Sequence, residues 1–409
     1  MSFNSANNDE CPTSFEVIIV GSGLAGWNLA KQIRRLDTSL SLLMICADAG
    51  HGYSKPMLSN ALDKGKSFED LIMQSVDQLR EQLKIEIWSE TKVQSINASE
   101  KCLETSRGSV KYHSLVLAVG ARPRTLPLQG DAVDALWRIN DLYAYGRFRE
   151  KLADLDQSRL ESSPAESVSP TSIAILGAGL VGCEFANDLV SAGYSVQVFD
   201  TAAYPFSALL PESVGFVARD QLSSAGVEFH FETAITEVHQ CESGFELRDQ
   251  QGAGFQADIV ISAVGLVSNT ELAISAGLDV DLGIVVDSFM QTSDPAIFAV
   301  GDCVSVQGRP LRYILPLMAS VQDLAKTLTG VKTSVQYPVM PILVKTPACP
   351  MLIAHSALDE DGDWRLEING CNGQALCYDS GLKLVNFVLL GDAIKEKQSW
   401  LKRLYADTK

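Results

Sequence analysis

Two stretches of the chain share one order of apolar and polar positions. The apolar runs FEVIIV (15–20) and SIAIL (172–176) each lead into a glycine-rich turn, which is followed by a stretch of helical character, LAGWNLAKQIRRL or LVGCEFANDLV. A short apolar run, a glycine turn and a helix in this order are typical of the start of a Rossmann unit. The pattern therefore predicts an α/β fold with two Rossmann-like dinucleotide-binding domains.

The first glycine turn predicts a pyrophosphate site. Gly21 permits the tight turn, Gly23 lets the backbone approach the phosphates, and Gly26 lets the helix pack close to the strand. The helix N-terminus adds N–H groups and the positive end of the helix dipole. We expect this site to be formed by the whole turn: Gly21, Ser22, Gly23, Leu24, Ala25 and Gly26.

The next predicted strand, LSLLMICAD (40–48), ends where the adenosine ribose of a bound dinucleotide should lie. Asp48 offers a carboxylate for the ribose hydroxyls. It stands past the probable end of the strand, so backbone contacts at Cys46 and Ala47 are an equal alternative.

The second glycine turn comprises Gly177, Gly179 and Gly182, and the strand after its helix ends at Asp200, 18 residues beyond Gly182. This spacing suits a carboxylate that accepts both ribose hydroxyls. Residues 201–203 contain no Lys or Arg that could neutralise a 2′-phosphate. The second site is therefore predicted to prefer NADH over NADPH.

Three further apolar strands end in glycine. Two of them, in 110–124 and 257–272, end at Gly120 and Gly265, and the third places Asp302 directly after Gly301 in the segment TSDPAIFAVGDCV. Together with the two glycine turns, these segments resemble the FAD-dependent pyridine nucleotide oxidoreductase superfamily. The resemblance implies FAD at the first turn, NADH at the second and a hydrogen bond from Asp302 to the ribityl chain of FAD.

The resemblance also implies a domain organisation in which the NAD domain is inserted into the FAD domain. The expected FAD-binding domain is discontinuous, at 1–125 and 258–330. The NAD-binding domain spans 126–257, and a small α+β C-terminal domain spans 331–409. Within the inserted domain, the Ser-, Asp- and Glu-rich segment 154–170 is predicted to be flexible.

Two motifs, GYSKPMLSNAL (52–62) and VKTPACP (344–350), resemble those of rubredoxin reductases. The resemblance implies that Lys55 is a catalytic cation at the flavin, that Glu184 pairs with it, and that Lys345 also lies near the flavin. Lys55 as a solvated surface lysine, with Glu184 as an ordinary helix residue, is the alternative. We further expect cofactor contacts from four residues: Val93, Arg122, Gly265 and Ile314.

The segment RYILPLMASVQDLAKTL (312–328) predicts a turn and then a helix. Its N-terminus could stabilise negative charge on the reduced flavin through the helix dipole. Its apolar stripe is equally typical of a core helix. Both descriptions can hold together.

Charge and cysteine usage exclude several function classes. The net charge of −17 disfavours nucleic-acid binding, which depends on Lys and Arg. No apolar run has membrane-spanning length and the N-terminus is polar, so a cytoplasmic location is expected. The nine cysteines are scattered without a C-x-x-C pair, and His355, the only late histidine, has no setting typical of a catalytic base. Disulfide substrates are therefore disfavoured, and no metal site is predicted.

Together with these observations, the resemblance implies an NADH-dependent reductase that passes electrons from FAD to a small iron protein, most simply rubredoxin. Support of alkane hydroxylation is one role that the resemblance implies for such a reductase. A reductase of a [2Fe–2S] ferredoxin or a flavorubredoxin is the first alternative, and a non-enzymatic FAD-bound redox sensor is the second. A monomer is expected. The C-terminal segment predicts a hairpin with its turn at 379–381, followed by a final helix.

Overall fold

The computed structural model describes residues 13–162, 169–242, 244–337, 339, 341–355 and 362–407. Its strands, in chain order, are β1 Ser14–Val20, β2 Leu42–Ile45, β3 Gly52–Tyr53, β4 Ile72–Gln74, β5 Glu86–Trp88, β6 Val93–Asn97, β7 Cys102–Thr105, β8 Gly108–Leu117, β9 Ala121–Pro123, β10 Ser172–Leu176, β11 Ser195–Phe199, β12 Val227–His230, β13 Ile235–Cys241, β14 Gly244–Asp249, β15 Gly254–Ala257, β16 Ile259–Ser262, β17 Leu266–Ser268, β18 Ile284–Val286, β19 Ile297–Ala299, β20 Val304–Val306, β21 Ile342–Val344, β22 Met351–His355, β23 Asp363–Asn369, β24 Asn372–Tyr378 and β25 Leu384–Leu390.

The α-helices, in chain order, are α1 Leu24–Leu36, α2 Phe68–Leu71, α3 Val76–Leu83, α4 Leu142–Ser162, α5 Leu180–Ser191, α6 Glu212–Ser224, α7 Glu271–Ser275, α8 Ile314–Leu328 and α9 Lys397–Asp407. Short 3₁₀ helices span Lys55–Asn60, Val133–Ala135 and Gly391–Glu396.

The chain forms two compact units. Unit 1 consists of Met1–Tyr53, Ile72–Arg122 and Val267–Tyr337, and unit 2 consists of Ser54–Leu71, Pro123–Leu266 and Pro338–Lys409. The motif around Lys55 therefore belongs to the same unit as the second glycine turn and the VKTPACP motif.

Unit 1 contains a Rossmann-like sheet. Its strands β5, β2, β1, β8 and β19 are adjacent in that order and parallel, and β7 and β6 extend the sheet by antiparallel pairing on the N-terminal part of β8. The last four residues of β1 are buried because the sheet is covered on both faces. Helices α1 and α8 pack together within the core of this unit.

Unit 2 contains the second Rossmann-like sheet, in which β12, β11, β10 and β16 are parallel and adjacent in that order. An antiparallel sheet of β13, β14 and β15 adjoins it. Apolar side chains from both sheets, including those of Leu176, Leu247 and Val260, share one core cluster. The predicted fold class, with two Rossmann-like domains and a small C-terminal domain, is confirmed.

The C-terminal part of unit 2 is an antiparallel sheet with the strand order β21-β22-β25-β24-β23. The predicted hairpin is present between β24 and β25, where the Asp379 carboxylate accepts the N–H groups of Gly381 and Lys383 at 2.9 and 2.8 Å. The predicted final helix is α9, which buries Leu404 in the core of this sheet.

The prediction of a flexible segment at 154–170 does not hold for residues 154–162, which continue α4. Asp156 accepts hydrogen bonds from the hydroxyls of Tyr194 and Thr171 at 2.8 and 2.7 Å, and Arg159 pairs with Asp258 at 2.6 Å. Polar composition suggested flexibility here, whereas these polar side chains attach the helix to the Rossmann-like sheet. Residues 163–168 lie outside the described residues.

No helix in the described ranges combines the length and the apolar character that crossing a membrane requires. Six of the described cysteines, Cys46, Cys102, Cys183, Cys303, Cys349 and Cys371, are free thiols. Cys11 lies outside the described residues.

Candidate functional site

The first glycine turn, in unit 1, is closed by backbone packing. Gly21 has a φ of 114°, and a Cβ at this position would overlap the carbonyl oxygen of Ala118. A Cβ at Gly26 would overlap the carbonyl oxygen of Gly21. Only glycine fits these two positions, and as a result α1 begins directly at the end of β1.

The same turn is open at Gly23. A Cβ there would meet no atom within 4 Å, and Gly23, the N-cap of α1, has no side chain to cap the helix. Leu24 and Ala25 form the first turn of the helix. The first N–H groups of α1 therefore face space that a pyrophosphate can occupy.

The strand end beside this turn distinguishes the two candidates for the ribose. Asp48 Oδ1 accepts the Ser22 hydroxyl and the Gly50 N–H, each at 2.9 Å, which fixes the carboxylate next to the turn. The backbone N–H of Cys46 donates to Trp88, and its carbonyl accepts the N–H of Thr91. Because the Cys46 backbone already pairs within the protein, the geometry favours Asp48. Ala47 is exposed.

The Gly301–Asp302 element lies beside the start of α1. A Cβ at Gly301, whose φ is 89°, would come within 2.9 Å of the Ala25 side chain. The carbonyl oxygen of Asp302 accepts the Ser268 hydroxyl at 2.8 Å, and Ser268 accepts a hydrogen bond from Arg312 at 3.1 Å. Asp302 is therefore held in unit 1 next to the first glycine turn, as a flavin contact requires.

Helix α8 follows this network and begins at Ile314, which is 43% exposed. The predicted apolar stripe is present, since Leu317, Val321 and Leu324 are buried. The side chain of Tyr313, the N-cap residue, makes no capping hydrogen bond to this helix. Helix α8 is thus a core helix with an uncapped N-terminus, so both predicted descriptions remain compatible with its structure.

The second glycine turn, in unit 2, repeats the geometry of the first. Gly177 has a φ of 107°, and its Cβ would lie 2.7 Å from the Ala263 carbonyl oxygen. A Cβ at Gly182 would overlap the Gly177 carbonyl oxygen, whereas one at Gly179, the N-cap of α5, would meet no atom within 4 Å. The N-terminus of α5 is therefore a second open anion site.

Asp200 closes the second turn from the end of β11. Its Oδ2 accepts the Ala178 N–H at 2.5 Å and its Oδ1 accepts the Ala202 N–H at 2.8 Å. The carboxylate is half-buried and directed at the turn. This position suits a ribose contact, because each oxygen retains a second lone pair for a hydroxyl donor.

Glu184, one turn into α5, lies at the centre of a buried polar cluster in unit 2. Its carboxylate accepts the Ser59 hydroxyl at 2.5 Å and the backbone N–H of Lys345 at 3.1 Å. The ammonium of Lys345 lies 3.7 Å from Glu184 Oε2 and donates to the carbonyl oxygen of Pro56. Burial lowers the pKa of Lys345, and the Glu184 charge opposes that shift.

The structure records an ion pair between Glu184 and Lys345. The pairing of Glu184 with Lys55, which the motif resemblance implies, stays a prediction. Lys55 begins a 3₁₀ helix and is half-buried. The two lysines are linked through the backbone, because Lys345 donates to the carbonyl of the residue that follows Lys55. The cluster therefore joins the motifs 52–62 and 344–350.

Two further side chains of α5 bind the same segments, and the sequence argument missed both. Asp188 accepts the N–H groups of Leu62 and Asp63, each at 3.0 Å, and Asn187 accepts the N–H of Ala348 at 3.0 Å. Both side chains are 3% exposed, and burial raises the pKa of Asp188. The sequence does contain a pattern that indicates them, because the polar residues at positions 184, 187 and 188 share one face of an otherwise apolar helix.

The remaining predicted contact residues are placed as follows. Val93 is buried at the start of β6 in unit 1. Arg122 is exposed and pairs with Glu271 at 2.5 Å. Gly265, with a φ of 92°, accepts the N–H of Arg124 in unit 2. These positions leave their cofactor roles as predictions.

The chain is similar to known proteins in sequence and in fold. The pyridine nucleotide-disulphide oxidoreductase family profile matches residues 15–322, and the rubredoxin binding C-terminal domain profile matches residues 334–404. Rubredoxin-NAD(+) reductases are similar along nearly their whole length. That of Alcanivorax borkumensis is 40% identical over 95% of this chain and 98% of its own, and that of Acinetobacter baylyi is 38% identical over 96% and 98%.

A solved structure agrees in fold. The covalent putidaredoxin reductase–putidaredoxin complex matches with a TM-score of 0.83 and 24% identity, over 96% of this chain and 93% of the matched chain. The described residues fit FAD and NADH, because each unit has an open helix N-terminus at a glycine turn and a carboxylate beside it. The chain belongs to the pyridine nucleotide-disulphide oxidoreductases, enzymes that use FAD and NADH, and within them to the family that contains the rubredoxin-NAD(+) reductases.

Proposed function

We propose that this enzyme transfers electrons from NADH through FAD to rubredoxin. The single observation that carries the proposal is the combination of two dinucleotide turns with a C-terminal segment, 334–404, that matches the rubredoxin binding domain. The similarity to rubredoxin-NAD(+) reductases over 95% of the chain supports it.

We assign FAD to the first turn and NADH to the second. The residues proposed to hold FAD are Gly21, Ser22, Gly23, Leu24, Ala25, Gly26, Asp48, Val93, Arg122, Asp302 and Ile314. Those proposed for NADH are Gly177, Gly179, Gly182, Asp200 and Gly265. Asp200 would accept the ribose hydroxyls of NADH and repel the 2′-phosphate of NADPH.

When bound, FAD accepts a hydride and releases electrons one at a time. The protein's part is to bind, orient and neutralise charge. Lys55 and Lys345 are proposed to supply positive charge for the reduced flavin, a form of electrostatic stabilisation that is strongest where water is excluded. Glu184 is proposed to hold Lys345 in place, since it binds both the backbone N–H and the ammonium of that residue.

Two finer assignments complete the proposal. We propose a cytoplasmic location, because free thiols are typical of a reducing compartment and six of the described cysteines, Cys46, Cys102, Cys183, Cys303, Cys349 and Cys371, are free. We also propose that the enzyme acts as a monomer, as expected from the short C-terminal domain.

The proposal is tested by anaerobic reduction of the purified yellow protein with NADH, followed by mixing with rubredoxin, a [2Fe–2S] ferredoxin or a flavorubredoxin in separate experiments. We expect NADH to bleach the flavin absorbance and rubredoxin to restore it within the turnover time. Reoxidation by another carrier and not by rubredoxin would reassign the acceptor. Failure of any carrier to reoxidise the flavin would instead favour a redox sensor.

A further inference from the structure

Helix α5 carries three polar side chains on one face, Glu184, Asn187 and Asp188, and all three are at least nine-tenths buried. Buried polar side chains are costly unless they are hydrogen-bonded. Within the helix itself, the Asn187 amide donates to the Ser191 hydroxyl at 3.4 Å. The three side chains accept hydrogen bonds from two other segments of unit 2, at residues 59–63 and 345–348.

The contacts are directed at backbone N–H groups, so they fix the path of each segment. Asp188 accepts two consecutive N–H groups, of Leu62 and Asp63, just beyond the 3₁₀ helix that begins at Lys55. Asn187 accepts the N–H of Ala348, three residues after Lys345. Lys345 lies in the second segment, and Lys55 begins the 3₁₀ helix Lys55–Asn60 that leads into the first.

The same helix begins at the second glycine turn. Its N-cap is Gly179, so the element that offers N–H groups to the pyrophosphate also holds both lysine segments one to two turns further along. A rigid helix transmits position more precisely than a loop, and small displacements of reacting groups are costly in rate.

We propose that Asp188 and Asn187 are positioning residues for hydride transfer: they fix the Lys55 and Lys345 segments relative to the helix that binds NADH. The inference rests on the proposed NADH-to-FAD function. Neither residue is required to touch a cofactor. Each acts through the backbone of the segment that it anchors.

The test is the variant Asp188→Asn, because an amide of the same size can accept with its oxygen but directs an NH₂ group at the other N–H donor. Asp249→Asn is the matched control. Asp249 is also buried, at 8% exposure, and accepts two backbone N–H groups, of Gln251 and Ala253, each at 2.8 Å. It is the last residue of β14, and its side chain binds the turn to β15 and not the lysine segments.

Flavin reduction by NADH is measured by anaerobic stopped flow without an electron carrier, so an error in the acceptor cannot affect the result. We expect Asp188→Asn to slow the first-order reduction step about 10- to 100-fold, with the apparent NADH dissociation constant nearly unchanged. We also expect a more negative flavin midpoint potential, because the cations are no longer held in place. Asp249→Asn should behave as the unchanged enzyme in both measurements.

Hydrogen exchange of the holoenzyme provides a readout that is independent of activity. Exchange in residues 58–66 should be faster in Asp188→Asn and unchanged in Asp249→Asn. Asn187→Ala provides a second variant, in which residues 345–350 should exchange faster and reduction should again slow. An unchanged reduction rate and potential despite faster exchange would overturn the proposal, as would equal effects of Asp188→Asn and Asp249→Asn.

Discussion

Removing the negative charge of Glu184 tests the polar cluster at its centre. In Glu184→Gln the side chain keeps its size and one acceptor oxygen, but Lys345 loses the carboxylate 3.7 Å from its ammonium. Breaking a fully buried ion pair costs about 3–5 kcal/mol, whereas an exposed pair contributes about 0–1 kcal/mol. The Lys345 side chain is 29% exposed and that of Glu184 is 8% exposed. We therefore expect a loss of about 1–2 kcal/mol, intermediate between these limits.

The assay is thermal unfolding of Glu184→Gln, Lys345→Met and the double variant. A loss of this size should lower the melting temperature of Glu184→Gln by about 1–4 °C. Because the two side chains interact, the loss in the double variant should be smaller than the sum of the single losses, by about 1 kcal/mol. Strict additivity of the two single losses would refute the ion pair as a source of stability.

The pH dependence follows from the same cluster. Burial holds the pKa of Lys345 below its ordinary value of 10.5, so between these two pKa values the folded protein binds fewer protons than the unfolded chain. The cost of burying the ammonium is complete below the folded pKa and is relieved as pH rises towards 10.5. Glu184→Gln should lower the folded pKa further. The stability that Glu184→Gln loses relative to the unchanged enzyme should therefore become smaller as pH rises towards 10.5, and a loss that stays constant would contradict the assignment.

Asp200→Asn should reduce kcat/KM for NADH about 10- to 100-fold, equivalent to about 1.4–2.8 kcal/mol. It should also reduce the preference of the enzyme for NADH over NADPH. An unchanged preference in steady-state assays would exclude Asp200 as the selective group. Gly26→Ala should destabilise the first turn by about 1–3 kcal/mol or more, because the added methyl overlaps the Gly21 carbonyl. Gly23→Ala is its matched control, since a methyl there meets no protein atom: we expect a nearly normal melting temperature for the FAD-free protein but a reduced FAD content. Equal FAD content in Gly23→Ala and the unchanged protein would argue against a pyrophosphate at this turn.

The sequence was most informative where the signal is local. Each glycine turn is specified within a few residues, because Gly21 and Gly177 need positive φ and Gly26 and Gly182 leave no room for a Cβ. The hairpin at 379–381 was also predictable, because its turn is specified by residues within a few positions of one another. Strand, turn and helix follow one another directly along the chain, so the pattern of residues and the structure can be compared position by position.

Contacts between distant segments could not be predicted in this way. Glu184 and Lys345 are 161 residues apart, and Asp188 and Leu62 are 126 residues apart. Periodicity marks a polar face on α5 but does not identify the segment that it binds. The motif resemblance selected the segments 52–62 and 344–350, both of which bind α5. It implied Lys55 as the partner of Glu184, which stays a prediction, and it did not reveal the ion pair of Glu184 with Lys345.

Residues 154–162 show the opposite limitation, in which local composition misled. Polar residues in this stretch suggested a flexible segment, but Asp156 and Arg159 bind groups on or beside the Rossmann-like sheet. Composition describes the average tendency of a segment to be solvated. It does not indicate which of its charges have partners elsewhere in the chain.

Transfer of electrons from NADH through FAD to rubredoxin is tested most directly by a titration under anaerobic conditions. The enzyme is mixed with limiting NADH and excess oxidised rubredoxin, and the absorbance of rubredoxin is followed to completion. Because NADH donates two electrons and each rubredoxin accepts one, the account predicts two rubredoxins reduced for each NADH, with the flavin oxidised again at the end. Flavin that is reduced by NADH but remains reduced in the presence of rubredoxin would contradict it.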